Sequence, residues 1–405
     1  MSILTNKRII LGVTGSIAAY KAADLASKLT QAGAQVDVIL TSAAEKFITP
    51  LTFQSVTGQS AYTDNDLWGN EAHVLHVGLG HNADLLVIAP CTANTIAKLA
   101  YGQADTLLTV TALAAQCPLV IAPAMDGGMF DHAATQENLD TLKKRGAVII
   151  EPLEGHLASG LVGKGRLPET HELIGHIRRI LGRSGLLANK KIVITAGGTH
   201  EPLDPVRVLT NRSSGKQGYA LAQAALDAGA QVTLITTPVS LTPPVGARVV
   251  HVETAKQMLE AVLSESAESD ALIMASAVAD FRPKNTAKDK IKKEGGVPQI
   301  ALEATEDILK TVSGSRVTRS GKRPRVVVGF AAESRNLLQN AAAKLESKGL
   351  DLIAANDISA ADSGFAVETN RVTLLFADGR RESLPLMSKT ETAEIILERV
   401  AILLE

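Results

Sequence analysis

Residues 211–218, NRSSGKQG, place an amide, two hydroxyl groups, a glycine and a lysine within a few positions of one another. They stand at the start of a predicted helix, where unpaired backbone N–H groups and the helix dipole favour a bound anion. The stretch therefore indicates a phosphate-binding site. Its members are Asn211, Ser213, Ser214, Gly215 and Lys216.

A second basic stretch, KDKIKKEGG at residues 288–296, contains Lys290 and is typical of a flexible loop. Such a loop could close over a charged ligand. A solvated run of charged residues explains the same composition, so both interpretations stay open.

The stretch GHLASGLVGKGRLPE, residues 155–169, is rich in glycine and other small residues on both sides of one hydroxyl group, that of Ser159. Lys164 and Arg166 follow in the same stretch. Its glycine content predicts a loop rather than a helix or a strand. The pattern is too regular for a linker, which favours a functional role over an inert surface loop.

Near the beginning of the chain, GVTGSIAA at residues 12–19 forms a glycine turn between a predicted strand and helix. It is not the dinucleotide motif G-x-G-x-x-G, and a purely structural turn explains it equally well. Ser16 at the helix start, with Ser42 and Thr95 after two further strands, could nevertheless converge on one phosphate.

The elements that must position these residues fall into two halves that begin alike. AGAQVDVILT and AGAQVTLITT fill equivalent places in two strand–helix–strand units, and the later strands are continuous apolar runs, as in buried parallel sheets. We therefore predict an α/β fold with two doubly wound, Rossmann-like domains, the first flavodoxin-like. The predicted boundaries are 1–180 for the first domain, 181–190 for a linker and 191–405 for the second domain.

Composition limits the classes of function. The 405 residues carry a formal net charge of -1, which argues against a nucleic-acid or membrane-surface role. Two cysteines, Cys91 and Cys117, cannot form a disulfide framework, and no signal or membrane-spanning segment is predicted, so we expect a cytoplasmic protein. The nine histidines show no metal-ligand spacing.

Three motifs give the first half a family resemblance: GVTGSIAAYKAADL, HVGLGHNADLLVIAPCTANTIAKLAYGQADTLL and PAMDGGMFDHAATQENL. Together with the glycine-rich stretch they resemble the flavin-dependent cysteine decarboxylases. The resemblance implies an FMN cofactor, with His76 as a catalytic residue and the glycine-rich stretch as a flap over the flavin. The implied FMN contacts are Gly15, Ser16, Ser42 and Thr95.

Two residues depart from that family's pattern. Ser159 stands where the family usually has a cysteine that acts as an acid, and a serine hydroxyl is far less acidic than a thiol. Asp126 stands where the family usually has an asparagine that binds the substrate carboxylate. An ionised aspartate would repel that carboxylate. Asp126 could bind it only in its protonated form or with its charge neutralised by Lys164 or Arg166. Ser159 and Asp126 remain candidate catalytic residues, in an active domain or in an impaired one.

The second half resembles phosphopantothenate–cysteine ligases through TAGGTHEPLDPVRVLTNRSSGKQGYALA, SAVADFRP, KDKIKK, GFAAES and DLIAANDIS. The resemblance implies CTP as co-substrate, with Mg²⁺ or Mn²⁺ accompanying the nucleotide. Asn211 and Lys290 are the implied catalytic residues, and Arg207 is a candidate for the substrate phosphate. The implied CTP contacts are Met274, Ala275, Ser276, Asp280, Lys290, Glu306, Asp307, Ile308, Leu309, Phe330, Lys344 and Lys348.

The order of the two halves resembles the bifunctional family of coenzyme A biosynthesis. That family implies ligation of cysteine to phosphopantothenate, then decarboxylation of phosphopantothenoylcysteine to phosphopantetheine. It also implies a homo-oligomer, with trimeric flavin domains, dimeric ligase domains and a dodecamer overall. Two alternatives remain: an active ligase beside an FMN domain that is a binding and assembly scaffold, and a decarboxylase of peptidyl cysteine, against which the second domain argues.

Overall fold

A computed structural model describes residues 2–68, 72–293, 297–314, 323–333, 335–357 and 367–405. The chain forms two compact units, Met1–Leu181 and Gly182–Glu405. The main sheet is parallel in the first unit and mainly parallel in the second, and helices cover both faces of each, so the predicted fold class is confirmed. Within the described residues, no helix is both long enough and apolar enough to cross a bilayer.

The sheet of the first unit is parallel throughout, with the order β3-β2-β1-β4-β5-β6. The order reverses between β1 and β4, and ligands bind at such switch points, outside the carboxyl ends of the strands. The strands are β1 Arg8–Val13, β2 Gln35–Leu40, β3 Ala61–Tyr62, β4 Leu85–Cys91, β5 Leu119–Pro123 and β6 Val148–Ile149.

Helices cover both faces of this sheet because alternate strand residues are apolar on each side. The helices are α1 Ala19–Gln31, α2 Pro50–Thr57, α3 Ala72–Asn82, α4 Ala93–Tyr101, α5 Leu107–Ala114, α6 Gly127–Asp131, α7 Ala133–Lys144 and α8 Thr170–Gly182. Ile9 and Leu11 pack with α1, α2 and α8, whereas Ile10 packs with α3, α4, α5 and α7. The single tryptophan, Trp68, is 87% exposed, at the end of a short 3₁₀ turn.

The glycine-rich stretch is a two-stranded hairpin, so the prediction that it contains no strand is wrong. β7 Leu153–His156 pairs antiparallel with β8 Val162–Arg166, and residues 157–161 form the tip. Glycine is needed at Gly165 because a Cβ there would lie 2.1 Å from the carbonyl oxygen of Met125. Glycine therefore lets the hairpin approach the turn after β5. The composition of the stretch alone did not distinguish such a hairpin from an irregular loop.

The main sheet of the second unit has the order β13-β12-β9-β14-β17-β18-β20-β21, and only its last two pairings, β18 with β20 and β20 with β21, are antiparallel. Three two-stranded sheets accompany it: β10-β11, β15-β16 and β19-β22. The strands are β9 Lys191–Ala196, β10 His200–Pro202, β11 Val208–Thr210, β12 Gln231–Thr236, β13 Arg248–His251, β14 Ala271–Met274, β15 Phe281–Pro283, β16 Leu302–Ala304, β17 Val326–Glu333, β18 Leu352–Asp357, β19 Thr369–Asn370, β20 Val372–Phe376, β21 Arg381–Ser383 and β22 Met387–Ser388.

Five helices cover this second sheet among the described residues. They are α9 Lys216–Asp227, α10 Ala255–Ser266, α11 Ile308–Gly314, α12 Leu337–Ser347 and α13 Lys389–Leu404. Helices α9 and α13 pack on the face that carries Ile192 and Ile194, whereas α10, α11 and α12 pack on the face that carries Val193. The two faces therefore present different helices to the carboxyl edge of the sheet.

Most of the predicted linker, residues 181–190, is packed rather than extended into solvent. Gly182 and Gly185 lie against the backbone of residues 227 and 228, where a Cβ would approach a carbonyl oxygen within 2.6 Å or less, and Leu187 is fully buried. Residues 182–190 consequently pack on the second unit and lead directly into β9.

Candidate functional sites

The first unit has a cavity of about 620 Å³ at the carboxyl ends of β1, β4 and β5. Gly15 and Ser16 line it from the turn before α1, as predicted from their position after a strand. Apolar side chains that are otherwise open to solvent also line it, with Ile17 at 59%, Tyr20 at 65% and Met129 at 52% exposed. Such a mixed wall suits a planar aromatic ligand that carries a phosphate.

The turn of this cavity is fixed by two close contacts. A Cβ at Gly15 would lie 2.5 Å from the Cβ of Ala43, so only glycine allows the two loops to approach this closely. The hydroxyl of Thr14 donates to the carbonyl oxygen of Pro90 at 2.9 Å and accepts from the N–H of Thr92 at 3.0 Å. The ends of β1 and β4 are thereby held side by side.

The two residues that depart from the family pattern contact each other. The Ser159 hydroxyl, at the hairpin tip, donates to Oδ2 of Asp126 at 2.7 Å, and the N–H of Gly128 donates to Oδ1 at 3.0 Å. These hydrogen bonds, that of Ser159 first, lower the pKa of Asp126 below its ordinary value. These contacts stabilise the ionised form of Asp126 rather than a protonated one.

The cations considered as counterions of Asp126 are paired elsewhere. Lys164 donates to Glu151 at 2.8 Å and lies 5.1 Å from the ring centroid of Phe130, and Arg166 pairs with Glu169. Glu169 also accepts a hydrogen bond from Lys21 at 2.9 Å, which is the largest cause of the lowered pKa of that carboxyl group. Among the described residues neither cation is paired with Asp126 in this arrangement.

Neither cysteine supplies an acid near the hairpin. Cys91 is fully buried at the end of β4, and burial raises the pKa of its thiol. Cys117 is half-buried before β5, and burial raises its pKa as well. The sequence-based conclusion that neither replaces the missing family cysteine is consistent with these positions.

Three predicted residues lie outside the described lining of this cavity. Thr95, buried in α4, faces Thr92 at 3.3 Å between hydroxyl oxygens, and the N–H of exposed Ser42 donates to Oδ2 of Asp64 at 3.3 Å. His76, in α3, has a buried Nδ1 with no hydrogen-bond partner among the described residues. Their roles in flavin binding and catalysis remain predictions.

The second unit has a cavity of about 470 Å³ at the carboxyl ends of β14 and β17. It collects every predicted CTP contact except Lys290. The residues that it brings together are Met274, Ala275, Ser276, Asp280, Glu306, Asp307, Ile308, Leu309, Phe330, Lys344 and Lys348. Residues 213–216 of the predicted phosphate-binding stretch line the same cavity, and α9 begins at Lys216 as expected.

Polar contacts hold this wall in place. Lys348 Nζ lies 3.2 Å from Oδ2 of Asp307, and the Thr305 hydroxyl donates to the carbonyl oxygen of Ala279 at 2.6 Å. Thr195 and Ser276 share a hydrogen bond of 2.8 Å between their hydroxyl groups, which joins the ends of β9 and β14. The hydroxyl of Thr305 therefore fastens this segment to the chain that follows β14.

Asn211 lies at the rim of this cavity. Its amide nitrogen donates to the carbonyl oxygens of Ala277 and Val278 at 3.2 and 3.3 Å, and both of those residues line the cavity. The residue is exposed, and these two hydrogen bonds use its amide nitrogen and leave its amide oxygen to other contacts. Its catalytic role stays a prediction.

Lys290 lies exposed and outside the described lining, as a solvated charged stretch would. The next residue is nevertheless anchored, because Ile291 donates its N–H to Asp204 at 3.1 Å and accepts a hydrogen bond from Arg207 at 2.7 Å. Arg207 also binds Asp204 directly, which is the first cause of the strongly lowered pKa of that buried carboxyl group. The guanidinium predicted to bind the substrate phosphate is thus part of an internal ion pair.

Sequence reasoning missed a polar group on the α9–α13 side of the cavity. Lys389, 5% exposed at the start of α13, lines the cavity together with Gln217, Asn356 and Asn370. Nothing in the stretch SKTETAEIIL distinguished this lysine from an ordinary residue in the first turn of a helix. The missed lining of the first cavity includes Tyr20, Lys21, Thr92, His156 and Glu169.

No group of three or more histidine, cysteine, aspartate or glutamate side chains that could hold a metal ion occurs in the part of the chain that the structure describes.

Family models match both units. The model described as "Flavoprotein" matches residues 2–182, and the model described as "DNA/pantothenate metabolism flavoprotein C-terminal domain" matches residues 187–403.

Proteins named "Coenzyme A biosynthesis bifunctional protein CoaBC" are similar over nearly the full length. The protein of Bacillus subtilis (strain 168) is 46% identical over 403 residues, covering 99% of this chain and 98% of its own. That of Mycobacterium tuberculosis (strain ATCC 25618 / H37Rv) is 44% identical, covering 97% and 96%, and that of Vibrio vulnificus (strain CMCP6) is 42% identical, covering 100% of both chains.

Two solved structures each resemble one part of the chain. The C-terminal domain of a CoaBC protein has 40% identity and a TM-score of 0.46, covering 55% of this chain and 98% of its own. A cysteine-to-serine variant of a PPC decarboxylase, complexed with pantothenoylaminoethenethiol, has 34% identity and a TM-score of 0.39, covering 43% and 97%.

Proposed function

This chain belongs to the family of bifunctional coenzyme A biosynthesis proteins, and we propose that its two units catalyse consecutive steps. The second unit joins cysteine to phosphopantothenate at the expense of CTP, and the first unit decarboxylates the product to phosphopantetheine with FMN. The observation that carries this proposal is the cavity of the second unit, which gathers all the predicted nucleotide contacts except Lys290.

The ligation needs an activated carboxylate. A carboxylate oxygen of phosphopantothenate attacks the α-phosphorus of CTP, pyrophosphate leaves, and the amine of cysteine then displaces CMP to form the amide. Backbone N–H groups of residues 213–216, at the start of α9, would stabilise the charge on the phosphates, with Mg²⁺ bound to them. Lys290 would reach the α-phosphate only if its segment moves toward the cavity. Because Asp204 anchors Ile291, this movement would be a hinged motion about that residue.

The fit of the first cavity to FMN rests on its own residues. The close approach at Gly15 and the hydroxyl of Ser16 suit a phosphate, and the exposed apolar side chains of Ile17, Tyr20 and Met129 suit a flavin ring. FMN, when bound, supplies the two-electron oxidation and reduction of the substrate's thiol-bearing carbon. The protein must orient the substrate, exclude water beneath the hairpin and provide a proton for the reduction.

His76 and the oligomer are linked in this proposal. His76 lies outside the described lining of the cavity formed by Ser16, Asp126 and Ser159 in the same chain. A trimer of flavin domains with sites between subunits, as the family resemblance implies, would let His76 of one chain complete the site of another. The buried Nδ1 of His76 without a described partner supports a role that needs a further contact.

A second candidate function for the first unit follows from one hydrogen bond. The hydroxyl of Ser159 donates its hydrogen to ionised Asp126, so it is not directed at a substrate in this arrangement. The first unit would then bind FMN and substrate and serve assembly, with the reduction incomplete. This candidate keeps the ligase activity unchanged.

The first experiment supplies synthetic phosphopantothenoylcysteine to the purified protein, without CTP and under anaerobic conditions, and identifies the products by mass spectrometry. Phosphopantetheine would support the full cycle, whereas unchanged substrate or an accumulated enethiol would support the second candidate. In parallel, phosphopantothenate, cysteine, CTP and Mg²⁺ should give phosphopantothenoylcysteine, pyrophosphate and CMP. Absence of these three products would refute the ligase assignment.

Two variants test the assigned residues. Lys290→Gln should lose ligation while CTP still binds, and unchanged turnover would remove Lys290 from the mechanism. His76→Ala should abolish decarboxylation, and mixing it with an Asp126→Ala variant should restore part of the activity if sites are shared between subunits. If each chain instead forms a complete site by itself, the mixture of the two variants should show no decarboxylation.

A further inference from the structure

The reducing step of the proposed decarboxylation needs a proton that none of the residues assigned above supplies. Loss of carbon dioxide from the oxidised substrate leaves a carbon–carbon double bond beside the sulfur atom. Its reduction adds a hydride ion, which the reduced cofactor supplies, to one carbon and a proton to the other. The proton must come from an acid that reaches the substrate within the cavity of the first unit.

The carboxyl groups on the wall of that cavity do not suit this role. The titratable side chains among its described lining are Tyr20, Lys21, Asp126, His156, Arg166 and Glu169. The hydroxyl of Ser159 donates to Asp126, and Lys21 and Arg166 both bind Glu169. These hydrogen bonds, that of Ser159 first for Asp126 and that of Lys21 first for Glu169, lower the pKa of the two carboxyl groups. They stabilise carboxylates, which have no proton to donate.

Three of the other four side chains are unsuited as well. The ammonium group of Lys21 donates to Glu169 at 2.9 Å and to a backbone carbonyl oxygen at 3.2 Å. A guanidinium group, as in Arg166, does not release its proton in proteins, and a phenol, as in Tyr20, is a far weaker acid than an imidazolium ion. An imidazolium ion releases its proton near neutral pH, so His156 is the best acid among the described lining residues.

The hairpin places His156 at the edge of the cavity. His156 is the last residue of β7, where it pairs with Val162, and it stands three positions before Ser159. The hydrogen bond of 2.7 Å from Ser159 to Asp126, the N-cap residue of α6, holds the tip of the hairpin against the start of that helix. Within the described ranges the imidazole makes no hydrogen bond or ion pair, so its nitrogen atoms are available to a ligand.

We propose that His156 is the catalytic acid of the reducing step and that the hydrogen bond between Ser159 and Asp126 keeps it beside the substrate. An N–H bond of the imidazolium ion breaks and a C–H bond forms at one carbon of the double bond, while the hydride adds to the other carbon. The neutral imidazole then takes up the proton that the cofactor loses as it returns to its oxidised form. This role rests on the proposed decarboxylation and supplies the proton donor that it requires.

The first test is kinetic. His156→Asn should slow the reduction by about 10²-fold, the lower end of the range for a positioned acid, because an exposed ring changes rotamers rapidly and faces the substrate only part of the time. Anaerobic single turnover of phosphopantothenoylcysteine by the FMN-bound protein follows carbon dioxide and the thiol products separately. Carbon dioxide release should keep its wild-type rate, so that the enethiol accumulates. His171→Asn is the matched control, because His171 is exposed in the first turn of α8 and does not line the cavity.

Two further readouts separate a catalytic role from a structural one. Free imidazole should restore reduction in His156→Ala in proportion to its concentration, whereas a distorted hairpin would not respond to it. Reduction in the wild type should decline as the pH rises through the range in which an imidazolium ion loses its proton, and this decline should be absent in His156→Asn. The other five titratable side chains of the cavity wall are the same in both proteins, so they do not account for the difference.

A chemical footprint on the wild-type protein tests the position of the ring without turnover. Diethyl pyrocarbonate acylates neutral imidazole, and mass spectrometry of the peptides locates the modified residues. Phosphopantetheine bound to the FMN-loaded protein should protect His156 and leave His171 as reactive as before.

The contrary outcomes fall into two groups. Wild-type reduction in His156→Asn, a slower reduction in Tyr20→Phe instead, or an unprotected His156 would each overturn the assignment. Wild-type protein that releases carbon dioxide but forms no phosphopantetheine would overturn the complete cycle, and wild-type protein that releases no carbon dioxide would overturn the decarboxylase itself. The failure of the inference is therefore distinguishable from the failure of the function on which it rests.

Discussion

Replacing Gly165 by alanine should detach the hairpin that carries Ser159. The new Cβ would lie 2.1 Å from the carbonyl oxygen of Met125, at a point where the N–H of Met125 donates to the carbonyl oxygen of Gly165 at 3.0 Å. Both groups belong to the backbone, so relief requires the hairpin itself to move by roughly 1 Å, since carbon and oxygen atoms do not approach much closer than about 3 Å without repulsion.

The size of the effect follows from two contributions. Overpacking of this kind costs about 1–3 kcal/mol, and the lost backbone hydrogen bond contributes roughly 0.5–1.5 kcal/mol. Together they weaken docking of the hairpin by about 2–4 kcal/mol, which corresponds to a roughly 30- to 1,000-fold larger open population at 1.36 kcal/mol per factor of ten.

Hydrogen exchange measures this opening directly. The amide of Met125 and those of β7 and β8 should exchange faster by that factor in Gly165→Ala, while amides in the core of the first sheet stay protected. Decarboxylation should fall as well, because Ser159 is no longer held over Asp126. The matched control is Gly163→Ala on the same strand, where a Cβ would have its nearest neighbour at 3.7 Å.

Two results would refute the reasoning. Wild-type exchange at Met125 in Gly165→Ala would mean that the hairpin does not dock through this contact. Equal effects of the two alanine substitutions would mean that glycine matters for backbone freedom along β8 rather than for the approach to the turn after β5.

Three further perturbations follow from other contacts. Asp126→Asn combined with Ser159→Cys should speed the reducing half of decarboxylation by about 10²-fold, the range for a positioned acid, and by more than the two single changes combined, since the side chains share a hydrogen bond. Asp204→Asn should destabilise the second unit above pH 4, and the difference from wild type should shrink progressively as the pH falls below 4. The folded pKa of Asp204 is lowered, so its stabilisation is present above the unfolded pKa of about 3.9 and is lost as pH falls through the folded pKa. Gly218→Ala should lower the thermal stability by about 1–3 kcal/mol, because a Cβ would lie 2.5 Å from the Cβ in the facing strand, whereas Gly314→Ala meets open space.

Each of these has a measurement and a contrary result. Anaerobic single-turnover mass spectrometry follows the double change, and a full gain from the cysteine alone would contradict the coupling. Urea unfolding midpoints between pH 3 and 7 follow Asp204→Asn, and a constant difference from wild type would contradict the linkage. Thermal unfolding follows the glycine variants, and similar melting temperatures for both would contradict the close packing at α9.

The strands and their ligand-binding ends could be predicted because each buried parallel strand is a continuous apolar run followed by small or polar residues. The cavity of the second unit lies at those ends and contains the residues that the family resemblance implied there, apart from Lys290. Chain order alone places such residues together, since parallel strands present their carboxyl ends at one edge of the sheet.

The rest could not be predicted because it depends on pairs distant in sequence. Ser159 and Asp126 are 33 positions apart, and although each departs from the family pattern, nothing in the sequence indicates that they contact each other; their hydrogen bond forms only when the hairpin docks. The pairing of Arg166 with Glu169 and of Lys164 with Glu151 is a choice among several nearby carboxylates that charge pattern does not decide. Lys389 enters the site only because α13 packs beside α9.

The position of Trp68 determines what an optical experiment on this protein can detect. The only tryptophan belongs to the first unit and is already 87% exposed when folded, so unfolding changes its surroundings little and its emission stays nearly constant. The second unit has Tyr219 as its single tyrosine, 8% exposed and 3.3 Å from the hydroxyl of Thr236. Because Tyr20, Tyr62 and Tyr101 belong to the first unit, total tyrosine emission reports on both units, whereas the emission of Trp68 is a nearly constant background against which a tryptophan introduced at a buried position of either unit would report the unfolding of that unit.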